Sequence, residues 1–135
     1  FLDDTECVLI HDGARALVTE DVIRRAIESV EKRGSGIASV PVTDTIKRAA
    51  PDGLVLDTPD RSRLWAVQTP QIFDRERYLR AAEEAERRGL SCTDDCQLFE
   101  AMGWEVQLVM GDYRNLKLTT PEDFLAAGAY LEGIK

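Results

Sequence analysis

Short apolar runs alternate with amphipathic helical patterns along this chain. This alternation is the sequence feature that most restricts the fold class. Residues 7–10 are entirely apolar, which suits a short strand buried on both faces. Thr19 can cap a following helix whose apolar positions recur at helical spacing, and Gly34 can end it. Residues 36–42 predict the next strand. This strand–helix–strand order predicts a parallel crossover within an α/β fold.

The remaining segments extend the α/β prediction and add a hairpin. The turn signal Pro51-Asp52-Gly53 lies between two limbs that carry charged residues, which predicts a β-hairpin. Such a hairpin has little core of its own and needs a partner surface. Further strands are predicted at 64–67, 104–110 and 116–118. Further helices are predicted after a cap at Asp74 up to about residue 88, at 94–102, and from Pro121 after a cap at Thr120.

The amino-acid composition argues against several classes of protein and of binding partner. The 135 residues are 44% apolar, enough for a packed core, so a disordered tail is excluded. The formal net charge of −8 argues against a nucleic-acid or membrane-surface partner, because both of those are negatively charged. Three cysteines, an odd number without paired metal-ligand spacing, are expected to be reduced thiols of a cytoplasmic protein.

Polar side chains gather where the predicted strands end, which is where ligands bind in open α/β sheets. Asp12 and Arg15 follow the first strand, Thr45 follows the second, Thr69 follows the strand at 64–67, and Lys117 lies in the strand at 116–118. Arginine and lysine suit phosphate oxygens, whereas threonine and aspartate suit hydroxyls. The pattern therefore predicts a phosphorylated, hydroxyl-rich ligand.

Several of these residues also have a purely structural interpretation. Asp12 could bond only local amides, and Arg15 could pair with a surface acid. His11 follows a buried strand and is interpreted as a structural donor, and residues 93–95 are interpreted as a plain helix start. The chain has no glycine-rich phosphate loop and no Ser-His-Asp spacing. The residue patterns alone therefore predict an α/β domain with a phosphorylated ligand and nothing more specific.

Five stretches, in order along the chain, resemble the C-terminal portion of the 2-C-methyl-D-erythritol 4-phosphate cytidylyltransferase family. They are HDGAR at 11–15, PVTDTIK at 41–47, DRSRLWAVQTPQ at 60–71, TDD at 93–95 and NLKLTTPED at 115–123. Each motif alone is weak. Their shared order over nearly the whole chain makes the resemblance specific.

The resemblance implies a Rossmann-like nucleotidyltransferase sheet, glycosyltransferase-A-like, with helices on both faces and a projecting β-hairpin arm. Residues 1–135 would form the C-terminal portion of a single domain, with a dimerisation arm at about 43–64 and the N-terminal part of the fold missing. The implied reaction joins CTP to 2-C-methyl-D-erythritol 4-phosphate and releases pyrophosphate. It uses a divalent ion, usually Mg²⁺, and belongs to non-mevalonate isoprenoid precursor biosynthesis.

The resemblance also assigns catalytic residues and a homodimer. Arg61 and Lys117 match the two basic residues that position the substrate phosphate for attack on CTP. Thr45, on the arm, matches a contact to the same phosphate. The family's arm crosses to the neighbouring subunit, so Thr45 and Arg61 would serve the partner's site.

Substrate-binding residues follow in the same way. Asp12 and Thr69 match polar contacts to the erythritol part of the substrate, and Arg15 completes the substrate-binding set through the HDGAR motif. The resemblance leaves the metal ligands unknown.

Two departures and two alternatives accompany this assignment. Ala16 stands where the family usually has proline, and the family's glycine-rich CTP loop has no counterpart here, so the chain alone is expected to be inactive. A ribitol-5-phosphate cytidylyltransferase shares part of the pattern, although PVTDTIK and the TDD segment favour the methylerythritol enzyme. A non-catalytic dimerisation fragment is the alternative from another class.

Overall fold

A mixed four-stranded sheet forms the centre of this computed structural model, which describes residues 4–133. Residues 1–3 and 134–135 of the predicted unit lie outside the described part. The strands are β1 (Cys7–Ile10), β2 (Ser35–Pro41), β3 (Arg48–Ala49), β4 (Val55–Asp57), β5 (Trp65–Asp74) and β6 (Leu108–Met110). The helices are α1 (Glu20–Arg33), α2 (Arg75–Arg88), α3 (Cys96–Ala101) and α4 (Pro121–Gly133), and a 3-10 turn spans Arg61–Arg63.

The order of strands in the sheet is β1-β5-β2-β6. β5 runs antiparallel to both of its neighbours, and β2 runs parallel to β6. β1 and β2 therefore point the same way, as the strand–helix–strand pattern predicts, but β5 separates them. The long connection from β2 to β5 inserts this strand between the two.

Helices cover both faces of the sheet, as expected. Gly36 faces α1, since a side-chain carbon built there would lie 2.1 Å from the carbonyl oxygen of Ala26. Ile37, the next residue, points to the opposite face because side chains alternate along a strand. It belongs to the fully buried cluster with Phe73 of β5 and Phe99 of α3. The main core thus lies under α2 and α3, and α1 closes the other face.

The predicted boundaries of α1 and α2 are confirmed by their caps. The Thr19 hydroxyl accepts from the amide of Val22, and Gly34 ends α1 at φ 85°. Asp74 and Gly89 fill the same places around α2. Each glycine adopts a left-handed conformation that other residues reach only at a cost.

β5 is longer than the predicted strand at 64–67 and includes the residues expected to follow it. Its pairing with β2 moves from Ile37 opposite Gln71 to Ser39 opposite Val67, so residues 68–70 all face the single residue Ala38. This bulge accommodates Pro70, which has no amide hydrogen for the ladder. Thr69 therefore lies within the strand and not beyond its end.

Two other predicted strands are shortened or absent. The segment predicted at 104–110 forms β6 only from Leu108, because the Ser35 hydroxyl bonds the backbone at Glu105 and Gln107 in place of a ladder. The prediction of a strand at 116–118 is wrong. That segment is a loop, and a hydrogen bond from the Leu118 amide to the carbonyl of Ala14 holds it to the loop after β1.

Helix α3 starts at a different residue from the one predicted, whereas α4 starts where the sequence predicts. α3 begins two residues later than predicted, since Asp94 uses its carboxylate to accept from the amide of Gln97. α4 begins at Pro121 as predicted, where Asp123 and Thr120 bond each other's backbone amides. Within residues 4–133, no helix has both the length and the apolar character needed to cross a bilayer.

The predicted hairpin is present between β2 and β5, and its strands β3 and β4 are exposed throughout. Arg48 forms an ion pair with Asp57 across it, and Lys47 donates to Thr58. The hydrogen bonds from Arg48 lower the pKa of Asp57 below its usual range. Leu54 and Leu56 remain 66% and 62% exposed, so the hairpin leaves an apolar surface without a partner in the described chain.

The close approach of α1 to β2 makes a stability prediction. Gly36→Ala is expected to destabilise the fold by about 1–3 kcal/mol, because the new methyl group would meet helix backbone that cannot move alone. Gly128→Ala is the matched control, since a side-chain carbon there meets nothing within 4 Å and alanine is favoured in a helix by up to about 1 kcal/mol. Urea unfolding of both variants measures the difference. Equal stability of Gly36→Ala and the unsubstituted protein would contradict this packing.

Candidate functional site

The bulge of β5 places Thr69 beside the loop that follows β1. Ile10, the last residue of β1, pairs with Gln71, so the loop at 11–15 begins next to the bulge. The amide of Asp12 donates to the Thr69 hydroxyl at 2.9 Å. A bulge redirects side chains that a regular strand would point elsewhere. The register of β1 against β5 thus brings Asp12 and Thr69 into contact, although they lie almost sixty residues apart in the sequence.

One carboxylate and two cations meet at this point. Oδ2 of Asp12 lies 3.2 Å from Nε of Arg15 and 3.5 Å from Nζ of Lys117. Side-chain exposure rises from 13% for Arg15 to 32% for Asp12 and 53% for Lys117. Arg15 is therefore fixed below the surface, whereas the ammonium group of Lys117 lies largely in solvent. An anion can reach Lys117 without opening the fold.

These residues line an open polar pocket of about 240 Å³. Its walls are the loop after β1, the β5 bulge, the segment 93–95 that precedes α3, and Lys117. The structure thus brings together four of the predicted site residues: Asp12, Arg15, Thr69 and Lys117.

Asn115 ties the walls of the pocket together from beneath. It is fully buried, and its side-chain amide donates to the carbonyl of Thr69 at 2.8 Å and to Oε1 of Gln68 at 3.2 Å. Its backbone carbonyl accepts from Arg15 at 2.8 Å. Asn115 therefore fixes the β5 bulge, the loop after β1 and the loop that carries Lys117.

The other two predicted site residues lie on the arm and do not line this pocket. Thr45 is exposed, and Arg61 donates from its guanidinium to the carbonyl of Thr43 at 2.7 Å. That bond joins the two limbs of the arm near its base. Within the described chain, neither residue reaches Lys117's pocket.

The candidate site residues taken from the sequence leave out several residues that line the pocket. Gln68 and Gln71 lie in the bulge region of β5, and the segment 93–95 forms a wall although it was interpreted as a plain helix start. Tyr78 donates to Asp95 at 3.0 Å, and burial together with Asp95 raises the pKa of Tyr78 to about 12. The TDD motif pointed to this segment, but only the fold shows that it faces Asp12.

The described residues do not form a metal site of their own. No group of three or more potential ligands among histidine, cysteine, aspartate and glutamate occurs within residues 4–133. Of the three carboxylates that line the pocket, Asp12 is engaged by Arg15 and Lys117, Asp94 accepts from the amide of Gln97, and Asp95 accepts from Tyr78. The carboxylates that line the pocket therefore do not by themselves supply a full ligand set for a protein-held magnesium ion.

Comparison with protein families identifies one match over almost the entire chain. The profile described as IspD, 2-C-methyl-D-erythritol 4-phosphate cytidylyltransferase, matches residues 2–133. Curated relatives of the same name include the proteins of Desulforamulus reducens, 49% identical over 129 residues, and Caldanaerobacter subterraneus, 50% identical over 128 residues. These alignments cover 96% and 95% of this chain but 55% and 56% of the relatives. The chain thus spans about half the length of the curated relatives it matches.

Solved structures give the same result for the fold. The 4-diphosphocytidyl-2C-methyl-D-erythritol synthase of Anaerococcus prevotii superposes with a TM-score of 0.89 at 35% identity, covering 98% of this chain and 61% of that one. The 2-C-methyl-D-erythritol 4-phosphate cytidylyltransferase of Thermus thermophilus gives 0.85 at 33% identity, covering 95% and 63%. The predicted nucleotidyltransferase fold class is confirmed.

The position of Asn115 makes a second stability prediction. Asn115→Asp keeps the shape but replaces both donors with a carboxylate that faces the oxygens of Gln68 and Thr69. We expect the free energy of unfolding to fall by about 3 kcal/mol, because the variant buries a charge and leaves two acceptors without a hydrogen bond. Gln107→Glu makes the same chemical change at a half-buried site and is expected to cost less than about 1 kcal/mol. Equal losses in urea unfolding of the two variants would contradict the assigned role of Asn115.

Proposed function

Because the chain belongs to the 2-C-methyl-D-erythritol 4-phosphate cytidylyltransferase family, we propose that the protein containing it transfers a cytidylyl group from CTP to 2-C-methyl-D-erythritol 4-phosphate. A phosphate oxygen of the substrate attacks the α-phosphorus of CTP, and pyrophosphate leaves as the bond to the β-phosphate breaks. The product is 4-diphosphocytidyl-2-C-methyl-D-erythritol. Protein side chains contribute by positioning the phosphate and by neutralising charge.

The observation that carries this proposal is the convergence of Asp12, Arg15, Thr69 and Lys117 around one polar pocket. Lys117 is the exposed cation, so it is assigned to the substrate phosphate. Asp12 and Thr69 offer oxygen atoms to the polyol hydroxyls. Arg15 holds Asp12 in place through its bonds to that carboxylate and to the carbonyl of Asn115.

The second phosphate-binding cation in the proposal is Arg61 of a partner subunit. The exposed apolar surface of the arm supports a homodimer, because a hairpin of this size is marginal without a covering surface. In that dimer, Arg61 and Thr45 reach the partner's pocket. The homodimer is therefore part of the proposed mechanism.

The proposal assigns magnesium no step on this chain. Mg²⁺ commonly binds through substrate phosphates together with few protein carboxylates, so the triphosphate of CTP is its proposed carrier. This placement agrees with the lack of a suitable ligand cluster in the described residues.

A cytoplasmic location is proposed from the cysteines. Cys7, Cys92 and Cys96 are free thiols, the form that a reducing compartment maintains. Burial raises the pKa of Cys96 to about 12, so this thiol stays protonated in the core.

Substitution of Lys117 tests the assigned catalytic role. Lys117→Ala in the full-length protein is expected to lower kcat/KM for the polyol phosphate by about 10²–10³-fold, because one charged donor to the reacting phosphate is lost. Lys32→Ala on α1 removes a lysine remote from the pocket and serves as the control. Pyrophosphate release with CTP measures both variants, and equal activities would contradict the role of Lys117.

The same assay separates the two candidate substrates. Turnover of 2-C-methyl-D-erythritol 4-phosphate is compared with turnover of ribitol 5-phosphate under competition. Preference for ribitol 5-phosphate would overturn the proposed substrate but leave a cytidylyltransferase. Absence of turnover with either compound would overturn the proposed activity.

Charge on the arm tests the proposed homodimer. Leu54→Glu and Leu56→Glu together are expected to shift the full-length protein toward monomer in sedimentation, because a dimer interface would bury both positions and carboxylates resist burial. Leu90→Glu places the same charge at another exposed leucine outside the arm and is expected to leave the oligomeric state unchanged. A dimer unaffected by the arm substitutions would show that the arm is not the interface.

A further inference from the structure

His11 makes two hydrogen bonds that determine which of its ring nitrogens carries hydrogen. Nε2 lies 3.0 Å from the backbone carbonyl oxygen of Arg15. A carbonyl oxygen only accepts, so Nε2 must carry a hydrogen. In the neutral ring, Nδ1 is then an acceptor.

The orientation of the Thr69 hydroxyl follows from that tautomer. Oγ1 of Thr69 lies 2.9 Å from Nδ1 of His11, so the hydroxyl donates its single hydrogen to the ring. The same oxygen accepts from the amide of Asp12 at 2.9 Å. A hydroxyl oxygen can accept twice, so one acceptor position is left.

We propose that His11 is a positioning residue that makes the Thr69 hydroxyl a hydrogen-bond acceptor for a substrate hydroxyl. Thr69 lines the pocket, whereas His11 is not among the lining residues, and the hydroxyl hydrogen of Thr69 is donated to the His11 ring. The ligand group opposite Thr69 must therefore donate. The identity of the ligand as a polyol phosphate rests on the proposed function, whereas the tautomer of His11 does not.

This polarity gives the pocket a selectivity that size alone does not provide. A substrate hydroxyl can donate to Thr69, whereas a fluorine, an ether oxygen or a carbonyl oxygen in the same place can only accept. Two acceptors facing each other lose a hydrogen bond and repel. The pocket therefore discriminates hydroxyls from acceptor-only groups of similar size.

Protonation of both ring nitrogens would reverse the arrangement. Nδ1–H would then donate to Thr69, and the hydroxyl hydrogen would be released toward the pocket. Thr69 would recognise an acceptor on the ligand. The two states make opposite predictions, which an experiment can separate.

Nitrogen-15 NMR of histidine-labelled protein measures the tautomer directly. His11 is the only histidine of this chain, and its signals in the full-length protein are assigned by their loss in His11→Gln. We expect the neutral ring with its hydrogen on Nε2 and an Nδ1 shift typical of a hydrogen-bonded acceptor. Thr69→Ser should preserve this shift, and Thr69→Val should move it toward that of an unbonded nitrogen. An Nδ1–H tautomer, a doubly protonated ring, or an Nδ1 shift insensitive to Thr69→Val overturns the proposal.

Substrate analogues test the consequence for recognition. In a series of polyol phosphates with one hydroxyl at a time replaced by fluorine, the analogue fluorinated at the hydroxyl that faces Thr69 should show a KM raised by about 5-fold, whereas any penalty that arises at Asp12 should persist in Thr69→Val. The penalty at Thr69 should disappear in Thr69→Val, and His11→Phe should raise the KM for the polyol phosphate while leaving the KM for CTP unchanged. Equal KM values across the whole series would overturn the acceptor role.

The two measurements separate this proposal from the proposed function. Failure of every polyol phosphate as a substrate, together with the expected tautomer, would refute the proposed function and leave the polarity of Thr69 established. Turnover of the polyol phosphate together with the opposite tautomer would refute the role of His11 alone.

Discussion

The pocket depends on one irregularity of the sheet, the bulge that sets residues 68–70 of β5 opposite Ala38. Without it, Thr69 would follow the regular alternation of the strand and would not be redirected toward Asp12. The bulge also leaves backbone carbonyls outside the ladder, and a buried carbonyl needs a donor. Asn115 supplies that donor to Thr69. The same side chain therefore stabilises the bulge and holds the pocket wall.

The ion pair between Asp12 and Lys117 is weak enough for Lys117 to change partners, and it adds little to the stability of the fold. The contact between Asp12 and Lys117 is long, at 3.5 Å, and Lys117 is more than half exposed, so solvent screens it and the pair contributes little to folding. A phosphate carries more negative charge than a carboxylate and presents more acceptor oxygens. It can therefore compete for the Lys117 ammonium group, while the less exposed Arg15 keeps Asp12 in place. Loss of the weak pair costs little, which favours binding.

Local patterns sufficed for α1, α2, the start of α4, the hairpin and the family, because caps, periodicity and motif order are properties of neighbouring residues. Thr19 and Gly34, for example, mark α1 without reference to the rest of the fold. The pocket depended on register, which no local pattern contains. Thr69 was predicted beyond a strand end but lies in a bulge, and Lys117 was predicted in a strand but lies in a loop. Asn115 was overlooked as a structural tie because its role requires three distant partners.

The arm connects the proposed dimer to the proposed chemistry through Arg61. Its guanidinium bonds the carbonyl of Thr43, so its position follows the base of the arm. A partner that covers the exposed Leu54 and Leu56 would fix the arm and, with it, Arg61. If Arg61 binds phosphate across the interface, substrate stabilises the dimer by the same free energy with which the dimer favours substrate binding, because linkage is reciprocal. A site divided between subunits therefore makes assembly a condition for full charge neutralisation at the reacting phosphate.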